Sequence, residues 1–162
     1  MSVQQSDQAA PQQSAGPPAG TPAIVDVFAR TKPGGAIEFS HQWRWQNGYP
    51  GGNGSIEVPP RKKDEDGTPI HFNLRDQTEP NRGLDFADDP IWVLRDRCPP
   101  DGQRCEDPEI PAGQIQKTPN LLKVFDRNSE ACTLHYRLRF TDRQGRPEAY
   151  DPDIKNGGTT IE

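Results

Sequence analysis

Apolar and polar residues alternate with a period of two along several stretches of the chain, which is the pattern of β-strands with one buried face. The plainest stretch covers residues 132–141, where large apolar side chains occupy every second position: Leu134, Tyr136, Leu138 and Phe140. Polar and charged residues fill the positions between them. This segment therefore predicts a long strand that packs one face against a core.

A second alternating stretch covers residues 37–45, with aliphatic or ring-bearing side chains at every other position: Ile37, Phe39, His41, Trp43 and Trp45. Shorter runs of the same kind predict strands at residues 23–28, 55–58, 70–74, 91–94, 121–125 and near 154, and residues 84–86 are an additional candidate. No stretch of useful length shows the 3.6-residue period of an amphipathic helix. We therefore expect about seven to eight short strands and little helix.

Turn signals separate these runs. The chain contains 18 prolines and 15 glycines among 162 residues, which favours many turns over long helices. The segments at residues 32–35 and 142–145 are examples, and both end in glycine. The pattern as a whole predicts an all-β fold, an immunoglobulin-like antiparallel β-sandwich, with a small β-barrel as the alternative.

The domain boundaries follow from composition. Residues 1–22 are mostly Gln, Ser, Ala, Pro and Gly, with too few apolar side chains to offset the entropy of ordering them, so we expect a disordered N-terminal tail. Residues 23–156 are predicted to form a single β-sandwich domain, and residues 157–162 a frayed C-terminus. A long polar loop is predicted at about residues 95–119, and such a loop inside a compact domain is either mobile or functional.

Charge and hydropathy narrow the classes of partner. The formal net charge is −5 and the isoelectric point is about 5.2. Nucleic acids and anionic membranes both require a basic protein surface, so we expect neither as a partner. The mean hydropathy is −0.96, and we find no apolar run of the length of a signal peptide or a transmembrane helix. We expect a soluble cytoplasmic protein.

The cysteines predict reduced thiols. Cys98, Cys105 and Cys132 are an odd number in a chain without an export signal. Cys98 and Cys105 flank a turn-rich segment, so a local disulfide between them is the alternative under oxidising conditions. Their spacing is not usual for zinc, no nearby histidine completes a set of ligands, and the acidic clusters lack the spacing of a calcium-binding EF-hand loop. We therefore expect no metal and no cofactor.

The C-terminal part of the chain carries a family resemblance. Residues 132–158 contain a long amphipathic strand, an Asp-x-x-Gly turn and the closing run YDPDIKNGG. This segment resembles the end of the DP-EP family of small bacterial proteins, and the likeness extends more loosely to residues 55–58, 69–74 and 83–86. The resemblance implies a compact β-sandwich of unknown function, with no cofactor or catalytic residues.

Candidate binding residues cluster in and after the second alternating stretch. His41 lies on the apolar face between Phe39 and Trp43, so it is either a hydrogen-bonded core histidine or the floor of a pocket. Trp43 and Trp45 share that face, which favours core filling, although sugar-binding β-sandwiches also use aromatic residues beside glycine-rich loops. Tyr49 lies in the loop itself and is the better candidate for contact with a ligand.

The sequence lacks the motifs of familiar enzymes, including a P-loop, a dinucleotide-binding glycine motif and a nucleophile elbow. We therefore expect no enzyme, and an unfamiliar site around His41 is the remaining catalytic alternative. The leading hypothesis is a module that binds another protein or itself through a sheet edge or through the loop at residues 95–119. The alternative is a carbohydrate-binding module in which Tyr49, with Trp43 or Trp45, contacts a glycan.

Overall fold

The computed structural model describes residues 17–100 and 102–160, which form eleven β-strands and one turn of 3₁₀ helix at Ala112–Gln114. The strands are β1 (Ala23–Thr31), β2 (Ile37–Trp45), β3 (Pro50–Gly52), β4 (Ile56–Val58), β5 (Thr68–Gln77), β6 (Asp85–Arg95), β7 (Gln116–Thr118), β8 (Leu121–Asp126), β9 (Ala131–Thr141), β10 (Pro147–Tyr150) and β11 (Asp153–Gly157).

The strands form two mixed sheets that pack against each other and do not close into a barrel. The first sheet has six strands in the order β3-β2-β1-β5-β8-β7. In the second sheet, β10 and β11 pair with different parts of one side of β9, and β4 pairs with β11. Strand β6 pairs with the other side of β9. The predicted all-β sandwich is confirmed.

Two strand pairs are parallel, which corrects the prediction of a purely antiparallel sandwich. β1 runs parallel to β5, and β4 runs parallel to β11. Parallel neighbours require a long connection, and here the chain passes through β2, β3 and β4 before it returns beside β1 as β5. Alternation within a strand does not indicate the direction of its neighbours, so the sequence pattern could not distinguish these pairs from antiparallel ones.

The core lies between β9 and the first sheet. The inward residues of β9 are at most 1% exposed: Leu134, Tyr136, Leu138 and Phe140. The ring of Phe140 lies 5.1 Å from that of Phe39 and 5.0 Å from that of Phe86. Offset and tilted ring pairs of this kind add to the stabilisation from buried area. Phe140 therefore joins β2 of the first sheet to β6 of the second.

A bulge explains why the sequence suggested two short segments in place of β6. Phe86 pairs with Phe140 and Ile91 pairs with Leu138, so the register shifts between them. The extra residues interrupt the alternation without ending the strand. Beyond the bulge, Trp92 on the outer face is also buried, because the Arg139 guanidinium lies 4.1 Å from the centre of its ring.

Both ends of the described chain are tied to the sandwich. The predicted tail falls partly outside the described residues, at 1–16, whereas residues 17–22 form a turn whose Pro22 carbonyl accepts a bond of 2.9 Å from Gln46 N. At the other end, Gly158 N donates to Asn128 Oδ1 at 2.8 Å, and Thr160 N donates to Arg61 O at 2.8 Å. Residues 157–160 of the predicted frayed end therefore include hydrogen-bonded backbone groups. Residues 161–162 lie outside the described part, and fraying of the end stays a prediction.

Replacing Phe140 with alanine should lower the free energy of unfolding by about 3–5 kcal/mol, because the change leaves a cavity between the sheets. Urea unfolding measures this loss. Phe125→Ala is the control, since Phe125 lies half-buried on the outer face of β8. A loss for Phe140→Ala no larger than that for Phe125→Ala would contradict the central position of Phe140.

Candidate binding site

Most sheet edges in the described part of the chain are short, blunted or covered. Strands β3, β4 and β7 have three residues each, and β10 begins with Pro147, which has no N–H group. The outer side of β6 is covered, because Val93 N donates to Cys105 O at 3.0 Å and Phe86 N donates to Pro119 O at 2.8 Å. These features are the usual protection against strand pairing between molecules.

The first half of β2 lacks this protection. Its outer neighbour β3 pairs only with Trp43 and Arg44. Among the described residues, no strand lies against the outer side of Ile37–His41. We call this segment the open edge.

The hydrogen-bond alternation shows which backbone groups face outward at the open edge. Lys32 N donates to Ala36 O at 2.7 Å, at the start of the β1–β2 ladder. In an antiparallel ladder the hydrogen-bonded and non-bonded pairs alternate from such a point. The residues whose N–H and C=O groups point away from β1 are therefore Ile37, Phe39 and His41.

His41 holds the far end of the open edge in place. Its Nε2 lies 2.7 Å from Gly54 O, which can only accept, so Nε2 carries a proton. Its Nδ1 lies 2.6 Å from the Tyr150 hydroxyl and forms a hydrogen bond with it. Burial raises the pKa of Tyr150, so this hydroxyl keeps its proton at neutral pH. His41 is 7% exposed, yet it also lines a polar pocket of about 320 Å³ with Arg30 and Gln42.

The aromatic residues predicted for ligand contact divide between the core and a cleft. Trp45 and Tyr49 line a cleft of about 500 Å³ between the β2–β3 turn and strands β4 and β11. Tyr49 is 38% exposed, whereas Trp45 is only 5% exposed and offers the cleft no open ring face. Trp43 packs edge-on against Trp45, with 5.7 Å between ring centres. Polar groups enter the cleft from Glu57 and Lys155.

A buried polar network, which the sequence analysis missed, adjoins this cleft through Asn156. The Asn156 amide nitrogen donates to Asp126 Oδ1 at 2.8 Å and to Glu109 Oε2 at 3.4 Å. Glu109 also accepts bonds from the backbone nitrogens of Ser129 and Glu130, at 2.8 Å and 3.2 Å, and from the Ser129 hydroxyl. Asp126, Glu109 and Asn156 are all buried, so the network joins the ends of both sheets.

Asp126 carries an unusual protonation equilibrium. Burial raises its pKa to about 7, and the nearby carboxylates of Glu109 and Asp107 act in the same direction. Hydrogen bonds from Asn156 and from the backbone of Asn128 oppose the rise. Among the described groups, Asp126 Oδ2 and Asn156 Oδ1 have no hydrogen-bond partner. Asp126 therefore takes up a proton close to neutral pH.

A sequence signal for this network existed. Asp126 continues the inward series of Leu122 and Val124 on β8, and Asn156 follows Ile154 on β11 in the same way. The predicted strand at residues 121–125 stops one residue before Asp126, because polar residues favour turns. If the alternating pattern is continued by two residues on each strand, it predicts that Asp126 and Asn156 are buried.

The loop predicted at residues 95–119 is anchored along its middle and end. Arg95 binds Asp107 through two bonds, of 3.2 Å from Nε and 2.9 Å from Nη2. Glu109 and Ile110 are buried, at 2% and 5% exposure. Cys98 and Cys105 are free thiols in this structure, and a local disulfide between them under oxidising conditions stays a prediction. The tip of the loop is exposed at residues 96–98 and 102–104, and the 3₁₀ turn at Ala112–Gln114 and strand β7 are exposed as well.

Comparisons with known proteins leave the family open. The sequence matches no protein-family model and no curated protein, so the resemblance to the DP-EP family remains a prediction. Within residues 17–100 and 102–160, no helix has the length and apolar character needed to cross a membrane. The same residues contain no group of three or more histidine, cysteine or acidic side chains arranged to hold a metal ion.

Asp126→Asn should change how stability depends on pH. The folded-state pKa of about 7 lies above the ordinary value of 3.8, so the folded state binds the proton more tightly than the unfolded state. The resulting stabilisation is complete below about pH 4 and is lost as the pH rises through 7. Relative to Asp126→Asn, the wild type should lose up to about 4 kcal/mol of unfolding free energy over this range.

Urea unfolding between pH 4 and pH 8 measures the difference between these two proteins. Asp142→Asn is the control. Burial opposes ionisation of Asp142, but hydrogen bonds from the Arg146 backbone and from Arg82 outweigh burial and lower its pKa, so its contribution is lost only in acid. Parallel curves for wild type and Asp126→Asn would contradict the raised pKa of Asp126.

Proposed function

We propose that this protein is a non-catalytic β-sandwich module that binds another protein, or a second copy of itself, through the open edge of β2. The observation that carries the proposal is the run of outward backbone groups on Ile37, Phe39 and His41, which no described strand pairs. An extended segment of a partner can add to such an edge by continuing the ladder of hydrogen bonds.

The side chains of the open edge support this use. Phe39 points inward and stacks on Phe140 and Tyr150, with ring centres 5.1 Å and 5.6 Å apart. His41 is fixed by its two hydrogen bonds. The open edge is therefore held in place by its contacts with the core. Because the backbone of the open edge is already extended before a partner strand binds, the entropy cost of binding is reduced.

The loop at residues 95–119 is the weaker alternative for contact with a partner. Its residues Glu109 and Ile110 are part of the buried structure, so contact with a partner is limited to its exposed residues, at 96–98, 102–104, 112–114 and 116–118. The net charge of −5 favours a protein partner over nucleic acid or an anionic membrane. We also propose a cytoplasmic location, which is consistent with an odd number of free cysteines. The proposal includes the resemblance to the DP-EP family.

Ile37→Pro should abolish partner binding, because proline removes an outward N–H group without breaking a bond to β1. It also lies at the first position of the strand, where proline is tolerated. Lys117→Pro is the matched control, since the same alternation turns the Lys117 N–H outward at the opposite edge of the sheet, on β7. Circular dichroism establishes that both variants are folded.

Affinity capture from lysate of the source cells, followed by binding measurements with the purified partner, tests this prediction. The wild type and Lys117→Pro should retain the partner, and Ile37→Pro should lose it. A partner that Ile37→Pro retains at full affinity would show that binding uses another surface.

A second candidate function, carbohydrate binding, is favoured by the cleft that contains Trp45 and Tyr49. Sugar rings pack on exposed aromatic faces, and Tyr49 provides such a face beside the polar groups of Glu57 and Lys155. Trp45 lines the same cleft and would report on its occupancy through its fluorescence. Trp43 is buried behind it and is not proposed as a contact.

Titration with a panel of soluble glycans should shift the tryptophan fluorescence if this second function holds. Tyr49→Ala should weaken the response about tenfold, since it removes the stacking ring. Tyr49→Phe keeps the ring and should retain most of the affinity. A flat response across the panel would remove the carbohydrate hypothesis.

A further inference from the structure

We infer that the open edge pairs with the open edge of a second copy of this chain, antiparallel and about a two-fold axis beside Phe39. This inference rests on the proposed function and names the partner. It follows from the register that the outward backbone groups allow.

The alternation restricts how two identical open edges can pair. Residues with outward groups must face each other, because only they can exchange hydrogen bonds across the new interface. One two-fold register places Phe39 opposite the second copy's Phe39. The two neighbouring registers place Glu38 opposite the second copy's Glu38, or Ser40 opposite the second copy's Ser40. The register centred on Ser40 is disfavoured, because it sets Ile37 against the second copy's Trp43, which already pairs with β3. Two registers then remain.

Charge selects between these registers. Like charges directly opposite each other on neighbouring strands are destabilising, which disfavours the register centred on Glu38. In the register centred on Phe39, Glu38 faces the second copy's Ser40, and Ile37 faces the second copy's His41. Neither pair opposes like charges, because Ser40 and Ile37 carry no charge. This register also uses the whole open edge and stops before Trp43, where β3 begins to pair.

The chemistry of the interface is mainly backbone hydrogen bonding. Phe39 and His41 keep their inward contacts, so the cores of the two copies are not disturbed. The two six-stranded sheets would join into one continuous sheet. Because each copy carries a net charge of −5, salt should strengthen the dimer by screening the repulsion between the copies.

Cysteine cross-linking tests the register. In a background with Cys98, Cys105 and Cys132 replaced by serine, one chain carries Glu38→Cys and another carries Ser40→Cys. Directly opposite residues in a non-hydrogen-bonded pair have Cβ atoms about 4.5–5.5 Å apart, close to disulfide geometry. The mixture should therefore form a disulfide-linked dimer of twice 18.0 kDa on mild oxidation.

Each cysteine chain by itself is the control for this cross-link. Two copies of Glu38→Cys place their thiols on a diagonal, at about 7–8 Å, which is too far for a disulfide without backbone movement. Efficient cross-linking of Glu38→Cys alone would overturn the register centred on Phe39.

Sedimentation at several protein concentrations and at low and high salt tests the dimer itself, with the native cysteines kept reduced. The wild type and Lys117→Pro should show a concentration-dependent dimer that salt strengthens, and Ile37→Pro should raise its dissociation constant at least tenfold. A wild type that stays monomeric at all concentrations would overturn self-pairing. If Ile37→Pro still abolished binding of a different protein in that case, the proposed function would stand with a foreign partner. Equal dimerisation of Ile37→Pro and wild type would overturn pairing at the open edge.

Discussion

Strand β9 holds the second sheet together because it pairs with β6 on one side and with β10 and β11 on the other. Its inward side chains are also the ones that meet the first sheet, and none is more than 1% exposed. The same residues therefore provide the hydrogen bonds of one sheet and the apolar contact between both. The position of β10, and with it the Tyr150 hydroxyl that binds His41, depends on this strand.

The two ends of the sandwich are closed in different ways. At one end the rings of Phe39, Phe86 and Phe140 fill the space between the sheets. At the other end Asp126 and Asn156 stand where apolar residues would continue the core, and Glu109 from the long loop completes the network. Buried polar groups stabilise a fold only when they are hydrogen-bonded. Glu109 meets this requirement through its bonds to Asn156 and to the backbone of Ser129 and Glu130, and these bonds fix the loop at residue 109.

The sequence predicted the strands well and their neighbours poorly. Alternation in residues 37–45 and 132–141 reports burial on one face, and burial is what the structure shows for β2 and β9. Alternation contains no information about which strand lies alongside, so the parallel pairs and the single long β6 were not foreseen. The open edge was missed as a specific place for the same reason, since it is defined by where β3 stops pairing.

The candidate residues were also only partly predictable. Tyr49 is exposed beside a cleft and His41 is bound at both ring nitrogens, in agreement with the local pattern around each. Tyr150, Glu109 and Asn156 come from segments distant in sequence, and their roles arise from contacts that no local pattern reports. A buried carboxylate is especially hard to foresee, because polar side chains at strand ends usually belong to turns.

The pairing of β4 with β11 has a consequence for synthesis of the chain. Ile56 lies beside Ile154 in the finished sheet, so β4 cannot pair until a strand about a hundred residues further along the chain has been synthesised. Contacts between distant parts of a sequence form slowly, because the intervening chain must be ordered first. The β1–β2 hairpin can form as soon as β2 has emerged from the ribosome, whereas the cleft beside β4 is completed only once β11 has emerged.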